Sequence, residues 1–103
     1  MFELQYSRAA LDDLDEIWTY IALELLNPDA AVNTVNGIMD AIDRLPGYPL
    51  SGTPLNALLD IESDFRFVIY RSYLAFYHIE SNVIRIDRIL YEGRDIVKAL
   101  FHK

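Results

Sequence analysis

The sequence predicts an α+β domain: an N-terminal strand and a helical hairpin packed on a mainly antiparallel sheet, closed by a short C-terminal helix. Three observations carry this expectation. Apolar residues recur with helical spacing as far as residue 45. From residue 65 the period changes to two, the repeat of a strand. The links within each half are short, which joins neighbouring elements antiparallel. At 103 residues the chain has the length of one domain with one core, so residues 1–103 are expected to form a single unit.

"FELQY" alternates apolar and polar residues and reads as a short strand. Ser7 is a candidate N-cap for a helix whose apolar face is Ala10, Leu11, Leu14, Ile17, Trp18, Ile21 and Leu25. Asp12, Asp13 and Glu16 fall in its first turns, where the helix dipole favours negative charge. "NPD" ends this pattern and begins another, with Asn27 as cap and Pro28 at the first helical position. The second helix lines up Ala31, Val35, Ile38, Met39, Ile42 and Leu45. Residues 46–60 are rich in Pro and Gly and read as a loop with one turn of helix. Strands are predicted over 65–71, 73–79 and 83–91, and a closing helix after Gly93 with Asp95 as its cap.

Composition excludes several chemistries. The chain has no cysteine, so neither a disulfide nor a thiol nucleophile is available. A zinc site would have only His78, His102 and carboxylates as ligands, a poor supply, and no metal or cofactor is expected. No phosphate-binding glycine loop and no serine-centred elbow occurs. "MFELQYSRAA" lacks a basic region followed by an apolar run, and no apolar run approaches the ~20 residues of a membrane span. A cytoplasmic location is therefore expected, with no membrane partner.

The formal net charge of −7 is unevenly spread. Residues 1–64 hold 12 acids and 2 bases, whereas residues 65–103 hold 4 acids and 7 bases. No Lys or Arg occurs from residue 9 to residue 43. Two electrostatic faces are expected. Strict alternation places Arg88 on an apolar strand face with Ile84, Ile86 and Leu90. A charge there needs a partner, such as an acid of the helices, or a bulge that turns it away. Its other reading is a group reaching into a cleft. Arg66, Tyr70, Tyr73, Tyr77, Tyr91 and Arg94 form an aromatic and basic set of the kind used by RNA-handling and protein-binding surfaces alike. His78 sits mid-strand on the apolar side and reads as a satisfied histidine, and His102 as part of a frayed terminus.

Taken in order, "YSRAALDDLDEIWTYIALE", "PLSGTPL", "FRFVIYRSYLAFYHI" and "IRIDRILYEGRDIVKALF" resemble the toxins of the RelE/ParE superfamily from type II toxin–antitoxin systems, over residues 4–101 and nearer to the ParE branch. The resemblance implies the fold read above. It also implies a toxin that poisons DNA gyrase and is neutralised by a cognate antitoxin from an adjacent gene, in a heterotetramer or larger complex. The RelE branch implies instead a metal-independent endoribonuclease acting on mRNA at the ribosome. A degenerate toxin that only binds antitoxin is a third reading. Carried over, the nuclease pattern places Arg88, Tyr91 and Arg94 as catalytic candidates. Leu74, however, stands where many nucleases hold Arg, and the only lysines are Lys98 and Lys103. Arg66, Tyr70, Tyr73, Tyr77, Arg85 and Arg94 are the expected contacts to target or antitoxin. The basic C-terminal half is expected to face partners, with the acidic hairpin turned away.

Overall fold

Residues 2–101 are described by the structure, a computed structural model. His102 lies outside the described residues. Strand β1 (Glu3–Tyr6) ends at Ser7, whose hydroxyl accepts from the Ala10 N–H and caps α1 (Arg8–Thr19). The helix then widens into a π-helical turn over Tyr20–Glu24, closed by a bond from the Leu25 N–H to the Tyr20 carbonyl. One extra residue in the turn rotates the face that follows. Leu25, expected in the core, is accordingly exposed, and Trp18 also stands partly in solvent.

Asn27 caps α2 (Pro28–Asp43) through a bond from the Ala30 N–H to its side-chain oxygen, with Pro28 at the first position as predicted. Ala31, Thr34, Ile38 and Ile42 face inward, with Leu45 just beyond, while Met39 lies outward. The following loop contains a two-residue strand, β2 (Thr53–Pro54), and a 3-10 turn (Leu55–Ala57). Its strand was not legible because only two residues pair. β3 (Arg66–Tyr70), β4 (Tyr73–Glu80) and β5 (Val83–Tyr91) follow within a residue of the predicted bounds. α3 (Ile96–Phe101) is capped by Asp95, whose carboxylate accepts from the Lys98 N–H.

The five strands run in the order β1-β5-β4-β3-β2, with β1 parallel to β5 and the rest antiparallel. The strict alternation expected along β5 fails at Asp87. Tyr77 faces Ile86 while Phe76 faces Arg88, so Asp87 is an extra residue on β5, a β-bulge. Ile84, Ile86 and Ile89 therefore join one core while Leu90 joins another. Arg88 consequently does not share a face with Ile84 and Ile86.

Both faces of the sheet are covered. The hairpin packs Leu14, Ile17, Ile38 and Ile42 onto Ile84, Ile86 and Ile89. Burying each such side chain contributes about 1.5–3 kcal/mol. On the other face Leu55, Phe67, Leu74, Phe76 and Leu90 form a second core, roofed by Leu59, Phe65, Ile96, Ala99 and Leu100. Among the described residues no helix is long and apolar enough to cross a membrane.

Candidate functional site

The bulge is held by α1. Where β1 ends, the Ser7 N–H donates to the Ile86 carbonyl and the Ser7 hydroxyl to the Asp87 carbonyl, at 2.9 and 2.8 Å. Asp13, buried on α1, accepts from the Ile89 N–H at 2.9 Å. Its two oxygens also take Arg88 Nε at 2.8 Å and Nη2 at 2.9 Å, a bidentate pair. Arg88 Nη1 reaches the Ala99 carbonyl of α3 at 3.3 Å. The hydrogen bonds to Asp13 push the Arg88 pKa up against the opposing cost of burial. Arg88 thus ties β5 to α1 and α3. The helix dipole does not account for Asp13. The signal for it was an acid inside the apolar stripe, between Ala10 and Leu14.

Beside this clamp a cleft of about 720 Å³ opens between the π-turn, the β3–β4 turn and the exit of β5. Ile17, Ile21 and Ile89 line it, with Tyr20, Tyr73, Tyr91, Arg71 and Arg94. Tyr73 and Tyr91 are cross-strand neighbours that meet edge to face, 5.8 Å between centroids at 71°. Burial, then the phenols of Tyr91 and Tyr20, push the Tyr73 pKa up, so it remains a neutral hydrogen-bonding group at physiological pH. Arg71 begins the turn with a left-handed backbone, φ 54, which costs a non-glycine residue about 1–2 kcal/mol. Its guanidinium lies 5.3 Å over the Tyr70 ring.

Of the residues singled out in the sequence, Tyr73, Tyr91 and Arg94 come together in this cleft. The others do not. Tyr77 is fully buried; its hydroxyl donates to the Pro49 carbonyl at 2.8 Å and accepts from the Gly52 N–H at 3.0 Å. Arg66 Nη1 grips the carbonyls of Leu50 and Gly52 in the same loop. Tyr70 fills the space that a Cβ on Gly37 would need. Arg85 donates to Gln5 of β1 at 3.0 Å. Tyr20 and Arg71 were not among the expected contacts; both enter the cleft through local backbone geometry, a π-turn and a left-handed residue.

His78 is satisfied twice, Nδ1 at 2.6 Å from Asp87 and Nε2 at 2.6 Å from Glu80. Desolvation disfavours the imidazolium, but the two carboxylates together outweigh it and raise the His78 pKa above its ordinary 6.5. Burial raises the Asp87 pKa and its bond to His78 Nδ1 opposes that; the separate bond from His78 Nε2 lowers Glu80. Arg85, opposite His78 on β5, favours both carboxylates in their charged forms. The charged histidine therefore supports the fold fully below about pH 6.5, and this support is lost as pH rises through its raised folded value. Melting temperature is expected to fall as pH rises above about 6.5, and His78→Asn is expected to remove that slope. An unchanged slope in the variant would assign the effect elsewhere.

Arg88 and His78 do not line the cleft, which offers the phenols of Tyr20, Tyr73 and Tyr91, the guanidinium groups of Arg71 and Arg94, and the Glu16 carboxylate.

A family model described as "ParE toxin of type II toxin-antitoxin system, parDE" matches residues 4–96. Among solved structures, the "Chromosomal ParDE TA system from P. aeruginosa" is similar at TM-score 0.75 and 24% identity, over 88% of this chain and 96% of that one. YafQ from E. coli strain BL21(DE3) is similar at TM-score 0.53 and 16% identity, over 90% of this chain and 96% of that one. No curated protein sequence matches significantly.

Proposed function

From the premise that the chain belongs to the ParE toxin family of type II toxin–antitoxin systems, we propose that it arrests growth by binding DNA gyrase, without cutting RNA. One observation carries this choice over the nuclease reading. The sheet face that holds Leu74 is filled by apolar side chains: Leu74, Phe76 and Leu90 lie beneath Leu55, Leu59 and Leu100. A phosphate would have to displace this core, and among the described residues its members are all apolar. Arg88, the cross-strand neighbour of Phe76, is committed to Asp13.

Neutralisation is the work of a cognate antitoxin from the adjacent gene, in a complex that assembles in the cytoplasm. Arg85, Tyr73, Tyr91 and Arg94 keep enough accessible surface to serve as contacts for it. Tyr77 contributes through the fold.

Purified chain is expected to inhibit gyrase supercoiling. In cells, DNA synthesis is expected to stop before protein synthesis after induction. Early arrest of protein synthesis with cleaved mRNA would overturn the proposal.

A further inference from the structure

The end of the helical hairpin displays apolar side chains that the fold does not use. Leu23 is 61% exposed and Leu26 is 82% exposed, beside exposed Tyr20 and Leu25. Leu26 also takes a left-handed backbone, φ 52, where glycine or asparagine ordinarily ends a helix. It gives nothing to the next helix, whose cap is Asn27. An exposed leucine at a left-handed position is unfavourable twice, by backbone strain and by hydrated apolar surface. Strain of this kind marks sites where the strained residue is used. The π-turn is a second, separate irregularity at the same place, and such turns concentrate at functional positions.

Charge decides what can cover this tip. Glu16, Glu24 and Asp29 are exposed around it, with Asp12 and Asp15 further along α1. No Lys or Arg lies between residues 9 and 43, and Arg71 and Arg94 meet Glu16, Tyr20 and Leu25 in the cleft, whose lining does not include Leu23 or Leu26. An anionic membrane, an acidic peptide and the hairpin of a second copy would each meet like charge. An apolar anchor in an acidic ring instead fits an apolar pocket rimmed by Lys and Arg. Protein surfaces of that design are those that face nucleic-acid phosphates.

We propose that the leucine-tipped, acidic end of the hairpin is the target-docking element, seating Leu23 and Leu26 in an apolar pocket on a basic, nucleic-acid-facing surface of the target protein. This rests on the reading of the chain as a protein-binding toxin. It moves the target contact to the acidic side, leaving the basic half to the antitoxin.

Leu26→Gly separates fold from function, because glycine relieves the left-handed strain. Its melting temperature is expected to equal or exceed the parent's, while growth-arrest potency and supercoiling inhibition each fall by about tenfold or more. Leu23→Gln and Glu24→Lys, both on the exposed surface, are expected to lose potency likewise while binding the antitoxin normally. Folded Leu26→Gly and Leu23→Gln variants with full potency would overturn the proposal. So would parallel loss of antitoxin binding, or a parent dimer that Leu26→Gly dissociates, since either assigns the tip to another occupant. If the parent arrests growth yet leaves supercoiling untouched, the gyrase reading falls and the tip is judged on growth arrest alone. If parent and variants inhibit supercoiling equally, gyrase stands and the tip falls.

Discussion

Asp13→Ala is expected to destabilise the chain by about 3–5 kcal/mol, the cost of stranding one partner of a buried ion pair. In a domain of this size that is a large fraction of the total, so the variant is expected to be largely unfolded at 37 °C. The single substitution removes three bonds at once. Arg88 loses both of its bonds to Asp13, keeping Nη1 on the Ala99 carbonyl, and the Ile89 N–H loses its acceptor. The bulge at Asp87 then keeps only the Ser7 bonds on its α1 side. Replacing both members, as Asp13→Leu with Arg88→Met, is expected to recover part of the loss, because no buried charge remains unpaired while the Ile89 N–H still lacks its acceptor, at about 1–3 kcal/mol. Urea melts of the two single variants and the double variant measure this directly. Additive losses in the double variant would mean that the pair is not the source of the effect. Loss of toxicity in Arg88→Ala then becomes interpretable only beside its melting curve.

Tyr77→Ala is expected to cost a comparable 3–5 kcal/mol, the usual penalty for emptying a large aromatic site in a core. Tyr77→Phe keeps the ring and removes only the hydroxyl. It leaves the Gly52 N–H and the Pro49 carbonyl without their partner, at a cost of about 1–3 kcal/mol. The damage should be local. Residues 49–52 are held to the sheet by that hydroxyl and by Arg66, so amide exchange at Gly52 should accelerate first. At temperatures where Tyr77→Phe is folded, it is expected to remain toxic and to bind antitoxin. Loss of either activity without loss of structure would make Tyr77 a contact residue after all.

The parts legible in the sequence are those decided within a few residues. Ser7 and Asn27 cap the helices they precede, and Pro28 starts the second because its ring suits that position. The strands show because their period of two survives over five residues or more. What could not be read depends on partners far along the chain. The bulge at Asp87 exists because Ser7 and Asp13, some 75 to 80 positions earlier, supply the bonds that a regular ladder would not. That bulge moves Arg88 off the face where alternation places it. Tyr77 looks like a surface tyrosine until the loop at residues 49–52 is laid over it. Leu25 leaves the core because the helix gains a residue in its last turn, a change with no local marker in the apolar pattern.

The pairing of β1 with β5 has a consequence for the time before folding. Glu3 to Tyr6 meet Val83 to Ile86, so a strand made early waits for one made some 80 residues later. Until then the hairpin has no sheet to lie on and Asp13 has no arginine. Such distant closure is slow, and it cannot begin early in synthesis. A nascent chain stopped short of β5 is therefore an inert one, and harm to the cell that makes it starts only once β5 has left the ribosome.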